Sequence, residues 1–193
     1  DLFDQLYALS GGARIPLSRM GDRLACGLAA VSLAALPPAS QMLHAGVLAL
    51  GDRALILPAI PGSGKSTLTA ALMLAGFRLL SDEFGVLRPR QGDFLAMLKP
   101  VALKNASIEV IRRFSPGAEI GPIFAATRKG DVAHLAPDAA SVAGVRQPAR
   151  PAVIVFPAWR GGAALDLQPQ APEQAFTRLA FNSFNYGLLW RIG

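Results

Sequence analysis

A chain of 193 residues that is 52 % hydrophobic and 17 % charged can bury one substantial core and is too apolar to be disordered. Its net charge of +6 comes from 15 arginines and 4 lysines against 13 acids, which suits an anionic ligand. No basic run with interleaved aromatics marks a nucleic-acid surface, so nucleic acid is not expected as a partner.

Residues 1–43 read as mostly helical, with Gly11-Gly12 and Pro37-Pro38 as breaks. The apolar run from Leu24 to Leu36 is too short to cross a bilayer and stops at the prolines, so it predicts a buried helix and no membrane association. Cys26, the lone cysteine, lies within it. It excludes an internal disulfide, disfavours a zinc cluster and fits a small buried hydrophobe in a reducing cytoplasm. The chain opens on Asp1, as a trimmed or partial sequence would, and a targeting segment is neither read nor ruled out.

Two short apolar runs, 45–50 and 53–57, flank Gly51-Asp52 and predict a β-hairpin. The second leads into Ile60-Pro61-Gly62-Ser63-Gly64-Lys65-Ser66-Thr67 and then an apolar helix over 65–75, which Gly76 stops. A strand over 77–80 ends at Ser81-Asp82-Glu83, and 84–87 with 94–98 form a second hairpin around residues 90–93. Further on come a short helix over 105–114, strands at 131–135 and 153–156, and an edge strand at 163–167. Pro172 opens a last helix, with Phe176, Leu179, Ala180 and Phe184 assigned to one face. A hairpin that feeds the loop directly departs from doubly wound NTPases, whose strands run parallel through helices. The expected fold is therefore α/β with α+β character: a mixed, partly antiparallel sheet flanked by helices. A helical segment, 1–43, belongs to the same domain as a core spanning 44–193.

The run after the hairpin has the strand, glycines, Lys-Ser and helix of a phosphate-binding P-loop, in that order. Gly62 and Gly64 let backbone N–H groups turn towards phosphate oxygens, and the helix N-terminus adds partial positive charge. Pro61, Gly62, Ser63, Gly64, Lys65, Ser66 and Thr67 are the expected nucleotide cradle. Lys65 reaches the outer phosphates, and the Ser66 hydroxyl can ligate Mg²⁺. Ala59 stands where the motif has its first glycine. The plainer alternative is a Gly/Ser turn before an ordinary helix.

Asp82 and Glu83 follow one helix and one strand beyond Lys65. Two adjacent acids can divide the work of a phosphoryl-transfer site, one associated with Mg²⁺ and one accepting the proton of an attacking hydroxyl. A solvated turn is the alternative. His44, at the start of the hairpin, can orient a carboxylate or shuttle a proton, although a lone histidine at a strand edge is often structural. Lys104, Asn105 and Lys129 are equally readable as phosphate or acceptor ligands and as surface charge. His134 reads as structural.

Taken together, these residues resemble the HPr kinase/phosphorylase family, and within it the group called HprK-related kinase A. The resemblance rests on His44-Ala45-Gly46, Pro61-Gly62-Ser63-Gly64-Lys65-Ser66 and Ser81-Asp82-Glu83, in that order and at similar spacing. It extends to the stretches 99–107 and 129–135, to Val155-Phe156-Pro157 and to Phe184-Asn185-Tyr186. It implies a phosphoenolpyruvate-carboxykinase-like fold with the P-loop at one edge of the sheet. It also implies ATP- and Mg²⁺-dependent transfer to a hydroxyl, typically serine of a protein or peptide. By the same resemblance Asp82 is the base, Glu83 a metal-associated carboxylate and His44 the partner of Asp82. Where the family pattern has a second Asp this chain has Glu83, Ala45 follows His44, and the downstream glycine-rich signature tied to phosphorylase chemistry and assembly is not found. A homo-oligomer and a cytoplasmic location are the accompanying expectations. A small-molecule kinase, or a nucleotide-binding regulatory module with little turnover, remain the alternative functions.

Overall fold

The computed structural model describes residues 40–185. The helices expected before residue 40, Cys26 and Tyr186 lie outside the described residues.

The first strand, β1 (Gln41–Leu50), turns at Gly51-Asp52 into β2 (Arg53–Pro58), as the hairpin pattern predicts. Gly51 sits at a φ of 62°, a turn conformation that glycine adopts freely. Strand β1 starts at Gln41, inside the stretch expected to be helical. The reason is pairing: residues 41–44 find a ladder partner in β4 (Phe84–Arg88), which outweighs their local preference.

Helix α1 (Lys65–Leu74) follows the P-loop, and β3 (Arg78–Ser81) then returns to lie antiparallel on β1, with a register shift between Val47 and Leu48. Strand β4 continues in the same direction along the same edge of β1 and turns into β5 (Asp93–Leu95), closed by the ion pair between Arg88 Nη2 and Asp93 Oδ2 at 2.6 Å. On the other edge, β9 (Arg150–Ile154) lies parallel to β2. The main sheet therefore runs β5-β4-β1-β2-β9, with β3 also on β1. A second antiparallel sheet, β6-β8-β7, is built from β6 (Val101–Lys104), β7 (Phe124–Thr127) and β8 (Gly130–Leu135).

Helix α2 (Ala106–Phe114) and α1 lie in the core that joins the two sheets. Ala70 and Met73 of α1 are buried with Leu48, Leu57 and Leu79 from the main sheet, Val101, Leu103 and Leu135 from the small one, and Ile108 and Ile111 from α2. Burial of each large side chain contributes roughly 1.5–3 kcal/mol. The other face of the main sheet buries Leu43, Ala45, Val47, Ala49, Ala54, Ile56, Leu80 and Phe94. The two-residue period of β1 thus serves both cores, which is why 45–50 is a continuous apolar run rather than alternating.

The architecture is mixed α/β, with a mixed sheet flanked by helices. The P-loop strand β2 is one strand in from the edge, because β9 lies outside it, so the expectation of an edge position is corrected. The expected edge strand at 163–167 is also absent. Residues 163–170 are irregular, pair with no strand, and Leu165 is exposed. Short elements that the periodicity did not mark are β6, β7 and α3 (Ala139–Ala143), the last capped by Asp138 Oδ1 accepting from Ser141 N at 2.8 Å.

The last helix, α4 (Pro172–Phe181), opens on proline as expected, but it buries no residue. Leu179 packs on the second core, Phe176 is exposed, and Phe184 lies beyond the helix. The single apolar face is therefore corrected. The helix stops at Asn182, whose Nδ2 donates to Arg178 O at 2.8 Å. Beyond it the chain docks on β1: Asn182 O accepts from His44 N, Phe184 N donates to Met42 O, and Asn185 Oδ1 accepts from Met42 N. No helix among the described residues is long and apolar enough to cross a membrane.

Candidate functional site

The P-loop leaves the sheet at Pro58, which pairs with Ala45 of β1. A turn closed by Ser63 N donating to Ile60 O brings the chain to the head of α1. Gly62 and Gly64 have φ values of 87° and 84°, the left-handed region that an L side chain resists. Ala59 is buried and has no positive φ, so an alanine fits where the motif has its first glycine.

Gly64 is the N-cap of α1 and no side chain caps the helix. The first helical bond runs from Leu68 N to Gly64 O, so the N–H groups of Lys65, Ser66 and Thr67 have no carbonyl inside the helix to meet. No acid occupies the first turn. Ser63 Oγ is buried with no hydrogen-bond partner. Open N–H groups, a helix dipole and an orphaned hydroxyl form a cradle for an anion.

On the far edge of β1 the ladder breaks between Val47, paired with Ser81, and His44, paired with Phe84. Asp82 and Glu83 occupy that break. The pair therefore follows the end of β3, as the sequence predicts, and separates it from β4 on the same edge of β1. Ser81 Oγ secures the break by accepting from Glu83 N at 3.2 Å and Phe84 N at 3.0 Å, and Glu83 O accepts from Ala45 N.

Lys65 spans the gap between the two features. Its Nζ donates to the main-chain oxygen of Asp82 and lies 3.3 Å from Asp82 Oδ1. Both side chains are nearly buried, at 10 % and 6 % exposure. The crossing passes β1 at Ala45-Gly46, the residues opposite the break. A Cβ on Gly46 would overlap Thr69 Oγ1, one turn along α1 from Lys65, so glycine is what lets α1 lie directly on the strand.

Glu83 faces a different partner, an ion pair with Lys99 Nζ, and Lys99 also stands 5.4 Å from the centre of the Phe84 ring. Burial would raise the Glu83 carboxyl. The hydrogen bond from Lys99 and the charges of Lys99, Lys65 and Lys129 outweigh it and hold Glu83 below its ordinary range. The His44 imidazole is pushed down, first by burial and then by Lys65 and Lys104, against the opposing pull of Glu83 and Asp82. His44 meets Phe184 edge-on at 5.8 Å. All four lysines of the chain, Lys65, Lys99, Lys104 and Lys129, thus act on the field around His44 and the acids.

Lys65 of the loop thus meets Asp82 directly, Glu83 follows it in the chain, and His44 lies within the field of both acids and Lys65. Lys104 and Lys129 belong to the small sheet. Between them Asn105 has a φ of 50°, and its Oδ1 accepts from Asp131 N at 3.0 Å across the gap to β8, while a Cβ on Gly130 would collide with it. Asn105 is accordingly a holder of the small sheet's edge. His134, in β8, meets Phe124 edge-on at 6.5 Å.

Two residues of the site carry no assignment from the sequence. Lys99 stands out there only as one of few lysines. Trp159, on the loop after β9, donates its main-chain N–H to Ser63 O at 3.1 Å and packs against Gly64. A tryptophan among glycines and an arginine, in Trp159-Arg160-Gly161-Gly162, was the available signal.

Among the described residues no group of three or more His, Cys, Asp or Glu side chains could hold a metal ion alone. Ser66, Asp82 and Glu83 offer a hydroxyl and two carboxylates, the hard oxygen donors that Mg²⁺ shares with phosphate and water. Compared with family models, curated proteins and solved structures, the chain matches none.

Proposed function

We propose that this chain is an ATP- and Mg²⁺-dependent kinase that transfers the γ-phosphoryl group to a hydroxyl, serine of a protein or peptide. The observation that carries the proposal is Lys65 reaching across β1 from an uncapped helix N-terminus to the carboxylate of Asp82. The mixed sheet, with a hairpin feeding the loop, supports a phosphoenolpyruvate-carboxykinase-like fold and the resemblance to HPr-kinase-like enzymes.

In this reading the open N–H groups of Lys65, Ser66 and Thr67 hold the phosphates, and Lys65 exchanges Asp82 for the outer phosphate oxygens. Asp82, released, accepts the proton of the acceptor hydroxyl. The acceptor oxygen bonds to the γ-phosphorus, the bond from that phosphorus to the bridging oxygen breaks, and ADP leaves with its electron pair. His44, held neutral by burial and by Lys65, orients Asp82. Ser66 with Asp82 or Glu83 would hold Mg²⁺, which when bound neutralises charge on the phosphates.

Incubation with γ-labelled ATP·Mg²⁺ and a lysate of the source cells tests this. Label is expected in a protein or peptide band, lost with Lys65→Ala. Asp82→Asn is expected to keep ATP binding and to lower transfer by about 10²–10⁴-fold. Transfer that survives Asp82→Asn would remove the base from Asp82, and label confined to small molecules would replace the protein acceptor.

A further inference from the structure

At the end of the main sheet where β3, β2 and β9 finish, the acidic pair, the P-loop and the loop after β9 stand in that order. Strands β3, β2 and β9 all run in the same direction, since β2 and β3 are both antiparallel to β1 and β9 is parallel to β2. Residues 82–83 come directly after β3, residues 59–64 after β2 and residues 155–160 after β9. Past a register shift between Ala54 and Leu55, β9 stays bonded to β2 up to Val155, whose N–H donates to Ile56 O at 2.9 Å. The chain then crosses to the P-loop and is tied there by the main-chain N–H of Trp159 donating to Ser63 O.

Trp159 is 74 % exposed. Its Cβ would stand 3.0 Å from a Cβ on Gly64, and its ring passes close to Gly161, where no side chain interferes. The main chain is therefore anchored while the ring is presented to solvent. Ile60, on the P-loop, is 72 % exposed. A large aromatic left open at the rim of an anion cradle has no role in this core, which it does not join.

A nucleoside triphosphate bound in the cradle has a direction. Its terminal phosphorus faces Asp82, on the β1 side of the loop, so its base leaves on the opposite side, where Trp159 is. We infer that Trp159 is the platform on which the nucleobase stacks, and that it supplies base affinity without base hydrogen bonds, so that different purines are accepted. Stacking on an aromatic face is tolerant of base identity because every base has a π-face. The inference rests on the nucleotide reading of the P-loop.

Calorimetry with the full chain separates the two. ATP and inorganic tripolyphosphate, each with Mg²⁺, are titrated into the wild type, Trp159→Ala and Trp159→Phe. Both substitutions keep the backbone N–H that ties the loop. Trp159→Ala is expected to weaken ATP by at least about five-fold and to leave tripolyphosphate unchanged, while Trp159→Phe stays near wild type. In a Trp190→Phe background, ATP and GTP are expected to quench Trp159 fluorescence and tripolyphosphate is not. Equal binding of ATP by the wild type and Trp159→Ala, with tripolyphosphate bound by both, would overturn the platform and leave the P-loop reading standing. A strong preference for ATP over GTP would overturn the tolerance of purines. Failure of both ligands to bind the wild type would overturn the P-loop reading and the platform with it.

Discussion

His44 sits among charges that pull its ring in opposite directions, and the signs can be read one residue at a time. Burial and Lys65 press its pKa down, and Glu83 and Asp82 pull it up. Lys65→Met is therefore expected to raise the His44 pKa and Asp82→Asn to lower it further. NMR titration resolves this readily because His134 is the chain's other histidine. Below the ordinary histidine value the unfolded chain takes up a proton before the folded His44 does. Stability is thus expected to fall as pH drops through that window, and a His44→Gln chain should lose less there. Glu83 has a lowered pKa of the carboxylate kind: its contribution is present above the ordinary glutamate value and is lost as pH falls through its folded value. Lys99→Met, which removes the ion pair, is expected to narrow that acid-side loss in pH-dependent urea unfolding. His44, Lys65, Asp82 and Glu83 were legible in the sequence because motif and spacing announce them. Lys99 and Trp159 were not, since each joins the site only through a strand crossing that no local pattern encodes.

At the scale of elements, the contact of α1 with β1 decides where the P-loop lysine points. Gly46 leaves room for Thr69, and Thr69 Oγ1 is buried with no hydrogen-bond partner. Gly46→Ala is expected to overpack this crossing and to cost about 1–3 kcal/mol in urea unfolding, with Lys65 displaced and ATP affinity reduced. Thr69→Ala removes the colliding oxygen. The Gly46→Ala/Thr69→Ala chain should therefore recover most of both losses, a coupling that two independent sites would not show. The hairpin, α1 and the β4–β5 turn were legible from apolar runs punctuated by Gly-Asp, Gly76 and Gly92. Residues 163–167 show the limit of sequence pattern: a strand is read there, but the segment pairs with no neighbour. The start of β1 errs in the other direction, as Gln41 to His44 become strand because β4 is there to pair with them.

Across the described fold, β1 is bonded on both edges for nearly its whole length. Strands β2, β3 and β4 and the segment 182–185 all lean on it. Both cores share its side chains. By contrast, β9 is exposed throughout, and the stretch from Trp159 to Gln170 is joined to the sheet at few points. Amide protons of Ala45, Val47, Leu48 and Ala49 are expected to exchange with deuterium only by global unfolding, the slowest class. Those of residues 159–170 should exchange orders of magnitude faster by local opening. Equal exchange in the two regions would contradict this ranking. A nucleotide that slows the second class while leaving the first untouched would act on the rim alone. Evolution could then retune which ligand the rim accepts, by changing a loop worth little to the fold, while the strand that aims lysine at aspartate stays as it is.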